Sequence, residues 1–130
     1  MLLVRAIITV LCAIGFYASV FMLSKSMRAA QGRLTEPSVV QTERAALFLR
    51  TPNSVIGLLY YAALAGVTWT SRSPIVLGLA VAASAAAACV SAYLAYSLLF
   101  VTRRSCLYCW TAHGVNWALL CAVPWLLALH

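Results

Sequence analysis

Charge is scarce in this chain, and acidic charge is the scarcest. Of 130 residues, nine are Lys or Arg and two are Asp or Glu, while 65% are hydrophobic. A soluble domain of this length needs far more polar surface, so the composition excludes an ordinary globular protein. The basic residues form no stripe interleaved with aromatic residues, and we expect no nucleic-acid partner. The net charge of +7 instead fits basic side chains at lipid headgroups.

Four long stretches contain no charged residue. They run from Ala6 to Ser24, Thr51 to Ser71, Ser73 to Thr102, and Ser105 to the end. Each reaches the roughly 18 to 20 residues that cross the hydrocarbon core of a bilayer. The sequence therefore predicts an all-α membrane protein: a four-transmembrane-helix bundle forming one integral membrane domain over residues 1–130, with approximate spans 6–24, 52–71, 74–101 and 105–129.

The first stretch has to be compared with a cleavable signal peptide. It continues into the bulky residues 21–23, and the nearest small-residue site, Ser24-Lys25-Ser26, is a weak cleavage pattern. We expect a retained helix.

The segment from Lys25 to Arg50 carries most of the polar side chains. Within it, residues 38–49 contrast apolar and polar positions, which predicts a short amphipathic loop helix between helices 1 and 2, lying in the membrane interface. A solvated linker is the alternative and remains open. Thr51 and Pro52 favour a helix that starts there, with Thr51 as N-cap.

An even number of spans places both termini on one side. The start of span two and the turn at Arg103-Arg104 then share the opposite face, which also holds most of the basic residues. The positive-inside bias places that face in the cytoplasm.

Cys106 and Cys109 form a Cys-x-x-Cys pair at the predicted start of span four. On a helix, this spacing puts both thiols on one face, in a stripe that continues through His113 and Asn116. With Ser105 as N-cap, the helix dipole and the two preceding arginines favour a thiolate at Cys106. Cys109 lies one turn deeper and drier. We therefore expect Cys106 to meet a thiol partner and Cys109 to face the bundle.

Other uses of the pair are weaker. One Cys-x-x-Cys supplies only half of a structural zinc site, so we expect no metal. Covalent haem attachment needs His directly after the second cysteine, where Trp110 stands. Incidental cysteines remain an alternative. The isolated Cys12, Cys89 and Cys121 are expected to pack as small hydrophobes.

Three polar side chains at membrane depth or at its entrance are candidates for function: His113, Asn116 and Asn53. Polar groups are costly in a bilayer, which favours a functional role. Each also has a structural explanation, because His113 and Asn116 can bond a neighbouring helix and Asn53 can cap its own.

Two stretches resemble the vitamin K epoxide reductase family and its bacterial homologues. One runs from Ser91-Ala92-Tyr93-Leu94-Ala95-Tyr96 through Phe100 into Cys106-Leu107-Tyr108-Cys109 and on to Asn116; the other is Asn53-Ser54-Val55-Ile56-Gly57 followed by Tyr60-Tyr61. Spans two to four match in order and spacing, over about three-quarters of the chain.

The resemblance implies a bundle that holds a quinone of the menaquinone or ubiquinone type beside the cysteine pair. Cys109 would face the quinone, Cys106 would exchange disulfides, and Asn53 would donate to a quinone carbonyl. His113 stands where the family often has tyrosine. One departure is clear: members usually carry a second cysteine pair in the first loop, and this chain has no cysteine between Cys12 and Cys89.

Together these features predict a membrane quinone-linked thiol oxidoreductase that passes electrons from a thioredoxin-like dithiol partner to a quinone, supporting disulfide formation. The expected location is the lipid bilayer of a prokaryotic cell membrane. The family's usual orientation puts the active end outside the cytoplasm, against the charge bias. The alternative is a non-enzymatic membrane subunit, or a thiol-based metal-ion carrier, on the same bundle.

Overall fold

The computed structural model describes residues 1–32, 53–102 and 107–129. Within these ranges the chain is helical apart from short ends and turns. The helices are α1 (Leu2–Ala30), α2 (Asn53–Thr70), α3 (Pro74–Tyr96) and α4 (Leu107–Leu129), and a π-helical segment (Ser97–Thr102) continues α3. The expectation of an all-α fold is confirmed for the described residues. The predicted amphipathic loop helix lies outside them, as do Thr51, Pro52 and Ser105.

Three of these helices are long and apolar enough to cross a membrane: Leu2–Ala29, Pro74–Val101 and Leu107–Leu129. Helix α2 has 18 residues and includes the polar Asn53, Ser54 and Thr68. At 1.5 Å per residue it is about 27 Å long, close to the thickness of a hydrocarbon core.

Helix α1 extends beyond the predicted span at both ends. It takes in Arg5, Lys25 and Arg28, whose long side chains can reach the headgroups while their backbone stays helical. The helix is followed by Gly32 at φ +71°, a left-handed conformation that glycine adopts without steric cost, and the Gly32 amide donates to the Ala29 carbonyl at 3.1 Å.

Helices α1 and α2 pack antiparallel through small residues. A Cβ atom at Gly15 would lie 2.5 Å from Cζ of Tyr61, and one at Gly57 would lie 2.9 Å from Oγ of Ser19. Glycine at these positions therefore lets the two backbones approach, as in many membrane bundles. Further along, the Trp69 indole donates to the Thr9 hydroxyl at 2.7 Å.

Helix α4 packs against α1 and α3, and α1 packs against α2, whereas α2 and α3 touch much less. Near the chain termini the bundle is filled by a continuous apolar cluster, which comprises Val4, Ile8, Cys12, Tyr61, Leu64, Leu77, Ala80, Val115, Leu119, Val123 and Leu126. Large apolar side chains such as Ile75, Leu79 and Trp125 cover the outside. The buried polar residues Ser84, Ser91 and His113 lie inside, a distribution that suits lipid as the surrounding solvent.

The alanines of α3 serve two faces of the helix. Ala80, Ala88 and Ala95 are buried on the face that also carries Ser84 and Ser91. Ala83, Ala86 and Ala87 instead line a cavity. Because α2 and α3 make few contacts, these short side chains leave open space between the helices.

Candidate functional site

A cavity of about 730 Å³ occupies the half of the bundle in which α2 and α4 begin. Its wall includes Ser26 of α1 and Asn53 of α2 at this end, and Asn116 of α4 deeper in the bundle. Most of the wall is alanine, aliphatic and aromatic, with a few polar groups. Cavities of this size and composition bind small, largely apolar molecules.

Cys109 lies in the cavity wall and is disulfide-bonded. The neighbouring Tyr108 stacks on Phe21 of α1, with ring centroids 3.9 Å apart and planes 17° from parallel. This stacking holds the first turn of α4 against α1 and so fixes the position of Cys109. Cys106, the predicted exchanging cysteine, lies outside the described residues. The other three cysteines carry free thiols, and Cys12, Cys89 and Cys121 are not among the residues of this wall.

Asn53 and His113 line the same cavity as Cys109. Asn53 is the first residue of α2 and is partly buried. His113 is 6% exposed and lies between two tryptophans, with centroid distances of 6.0 Å to Trp110 and 6.3 Å to Trp117. The structure therefore brings together the three predicted site residues that it describes, from two different helices.

Three helices are joined by a chain of hydrogen bonds at the inner end of the cavity. The Tyr61 hydroxyl of α2 donates to Oδ1 of Asn116 at 2.7 Å, and Nδ2 of Asn116 donates to Oγ of Ser91 in α3 at 2.6 Å. Tyr61 and Ser91 are each 2% exposed. Both hydrogen-bonding ends of the Asn116 amide thus have partners, so the structural explanation holds for this residue, which also lines the cavity.

Several polar atoms of the wall are buried. Within the described ranges, no hydrogen bond reaches the side-chain oxygens of Ser54, Tyr60 and Ser97, or Nδ1 of His113. All four residues line the cavity. An unsatisfied buried polar group costs about 1–3 kcal/mol. Four such atoms around one space indicate a site for a ligand with polar atoms of its own.

Sequence reasoning did not single out Tyr60 or Ser97 as site residues. Tyr60 belongs to one of the two family-like stretches, and the apolar pattern around Ser97 does not distinguish that residue from its neighbours. Ser97 is buried where α3 changes to π-helical geometry, a local irregularity that often accompanies functional sites. No pattern of residue types in the sequence indicated that change.

The cavity fits a quinone by its size and by the chemistry of its wall. A flat apolar ring suits the alanine and aromatic lining, and its carbonyl oxygens can accept from the amide of Asn53 and from a protonated ring nitrogen of His113. These residues would hold the ring beside Cys109.

The fold and the cavity define a class of protein: a helical membrane bundle with a disulfide-bonded cysteine in the wall of an apolar pocket. A family model described as the Vitamin K epoxide reductase family matches residues 6–123, so the chain belongs to that family. Membership makes it a membrane thiol oxidoreductase, in agreement with the resemblance seen in the sequence. No match was found among curated proteins.

Proposed function

We propose that the protein takes electrons from a thioredoxin-like dithiol partner and passes them to a quinone held in the cavity, supporting disulfide formation. One observation carries this proposal. The disulfide-bonded Cys109 shares a wall with Asn53, with His113 and with polar atoms that have no partner among the described residues.

The first half-reaction is thiol–disulfide exchange at Cys106. A partner thiolate attacks the Cys106 sulfur, and the Cys106–Cys109 bond breaks to release the Cys109 thiolate. The second thiol of the partner then displaces Cys106, so the partner leaves as a disulfide. Two electrons and two protons have moved to the cysteine pair. Arg103 and Arg104 precede Cys106 in the sequence and favour the thiolate form.

The second half-reaction re-forms the disulfide. A bound quinone supplies the two-electron, two-proton acceptor, which leaves as quinol. Cys109 is the donor that faces it, and Cys106 resolves the pair by closing the bond. Asn53 and His113 hold the two ring oxygens by hydrogen bonds that strengthen as negative charge develops there. The apolar wall keeps water away from the exchange.

The partner would act on Cys106 without a relay. This chain has no cysteine between Cys12 and Cys89, so the first loop cannot carry the additional pair that is usual in the family. Direct attack by the partner is the route that remains for the oxidase function.

We further propose that all four helices cross a prokaryotic cell membrane. Helix α2 is antiparallel to α1 through the pairs Gly57–Ser19 and Trp69–Thr9, as expected of consecutive spans. Its polar start at Asn53 would then lie at the same membrane face as the beginning of α4.

The test uses purified protein in detergent with a reduced dithiol and a short-tailed quinone, and quinol formation is followed by absorbance. We expect turnover in the native chain and none in Cys109→Ser. Cys121→Ser is the matched control, because that exposed thiol lies in the same helix and is not among the cavity residues. It should retain full activity.

Quinol formation that survives Cys109→Ser would overturn the proposal. So would equal losses in Cys109→Ser and Cys121→Ser, which would mean that the substitutions act on folding rather than on electron transfer. The carrier alternative predicts instead stoichiometric metal binding that is lost in Cys106→Ser, with no quinol formed. A structural subunit predicts that both cysteines of the pair are dispensable.

A further inference from the structure

We infer that Tyr60 and Ser97 select the quinone: they donate hydrogen bonds to oxygen atoms on its ring substituents, so the site prefers a dimethoxybenzoquinone of the ubiquinone type to rings that carry only hydrocarbon substituents. This inference rests on the proposed function and narrows its substrate class.

Both residues place a buried hydroxyl in the cavity wall. Ser97 is 1% exposed, Tyr60 is partly buried, and neither hydroxyl has a partner among the described residues. The adjacent Tyr61 is a buried tyrosine with a hydrogen-bond partner, because its hydroxyl donates to Oδ1 of Asn116 at 2.7 Å. The difference between the two tyrosines is that Tyr60 remains available to a ligand.

The two hydroxyls lie at the depth of the other site residues. Ser91 bonds Asn116 across the antiparallel helices α3 and α4. From that bond, Ser97 and Cys109 are six and seven residues away in the same direction, or about 9 and 10 Å at 1.5 Å per residue. Ser97 is therefore level with Cys109.

Tyr60 lies within about 3 Å of the depth of His113 by the same reasoning. The Tyr61 hydroxyl donates to the Ala112 carbonyl at 3.4 Å, and in the parallel helices α2 and α4 Tyr60 stands one residue before this level and His113 one residue after it. A ring held between Asn53 and His113 thus passes both hydroxyls.

The number of available donors exceeds what an unsubstituted quinone can use. Each of its two carbonyl oxygens can accept two hydrogen bonds, which gives four acceptor positions. The wall holds at least five donor side chains, because Asn53 and His113 are joined by the hydroxyls of Ser54, Tyr60 and Ser97, which have no partner among the described residues. At least one of these buried hydroxyls therefore stays without an acceptor on such a ring. A site with buried polar groups discriminates against ligands that leave those groups unpaired. Two methoxy oxygens supply the missing acceptors, whereas methyl groups or a fused hydrocarbon ring do not.

The test compares two benzoquinones with the same short tail, one with two methoxy groups and one with methyl groups in their place; 2-methyl-1,4-naphthoquinone is a third probe. Dissociation constants come from quenching of tryptophan fluorescence, because Trp110 and Trp117 lie beside His113. The ratio of kcat/KM values is measured in parallel.

We expect the native protein to bind the dimethoxy ring about tenfold more tightly than the dimethyl ring, as one to two hydrogen bonds allow. Tyr60→Phe and Ser97→Ala should each reduce this ratio about threefold to tenfold, mainly by weakening the dimethoxy ligand. The matched controls are Tyr96→Phe and Ser84→Ala, whose residues are not among those that line the cavity. They should leave the ratio unchanged.

The outcomes separate the two proposals. Equal binding of the two benzoquinones, or a ratio unaffected by Tyr60→Phe and Ser97→Ala, overturns this inference and leaves the proposed function standing. If all three quinones fail to bind and no quinol forms, the proposed function fails and this inference fails with it.

Discussion

The contact between Gly15 and Tyr61 gives the sharpest prediction about stability. We expect Gly15→Ala to destabilise the bundle, although alanine is normally the better helix former by about 1 kcal/mol. The added Cβ would lie 2.5 Å from Cζ of Tyr61. That ring is 2% exposed and cannot turn away into solvent.

The magnitude follows from how far the ring must move. Carbon contacts are favourable at about 3.5–4.0 Å, so the phenol has to shift by about 1 Å. Its hydroxyl is 2.7 Å from Oδ1 of Asn116, and such a shift away from α1 breaks or strains that bond. Overpacking costs about 1–3 kcal/mol and a lost hydrogen bond about 1 kcal/mol. After the gain in helix propensity we expect a net loss of about 1–3 kcal/mol in the free energy of unfolding.

The assay is reversible unfolding of the detergent-solubilised protein, followed by circular dichroism. Gly66→Ala is the matched control, because a Cβ there meets nothing within 4 Å. It should be neutral or stabilising. In a Tyr61→Leu background, Gly15→Ala should lose most of its cost because the ring is gone. The reasoning is refuted if Gly15→Ala is as stable as Gly66→Ala, or if its cost is the same with and without Tyr61.

Two further predictions concern the inner hydrogen bonds and the membrane orientation. Asn116→Leu should lower the free energy of unfolding by about 1–3 kcal/mol, because it leaves the Tyr61 hydroxyl and the Ser91 Oγ buried without Asn116. The control Thr70→Val removes only an exposed hydrogen bond within α2 and should cost much less. Equal losses would contradict a stabilising role for the hydrogen bonds of Asn116. If the positive-inside bias sets the orientation, the first loop lies in the cytoplasm. A cysteine introduced at Ser38 of a cysteine-free version should then react with a membrane-impermeant thiol reagent only after the cells are lysed. Labelling in intact cells would instead place the active end outside the cytoplasm.

Much of the fold could be predicted because it depends on local composition. Uncharged runs of bilayer length predict helices whatever they pack against, and the described helices follow those runs. The end of α1 was harder to predict. Lys25 and Arg28 interrupt the apolar pattern, but long basic side chains can reach the headgroups, so the helix continues to Ala30.

The candidate site could be predicted in part. Cys109 and His113 lie on one stripe of one helix, so helical spacing alone relates them. The predicted order of the spans placed Asn53 at the same membrane face as the start of span four, and in the structure Asn53 lines the same cavity as Cys109 and His113. The role of Asn116 could not be decided in advance, because the partner of an amide in a bundle lies on another helix. Here its partners are Tyr61 and Ser91, 55 and 25 residues away in the chain.

The sequence by itself determined the apolar environment, the helices and the position of Cys109 in the first turn of a helix. These features depend on the polarity of each stretch and on a spacing of three residues. Only the tertiary structure decided which part of the bundle has a packed core and which part contains a cavity. A cavity forms because α2 and α3 make few contacts and Ala83, Ala86 and Ala87 have short side chains. Its hydroxyls at Tyr60 and Ser97, which have no partner among the described residues, come from different helices. Such a space depends on three-dimensional packing between distant segments, which no local pattern of residues encodes.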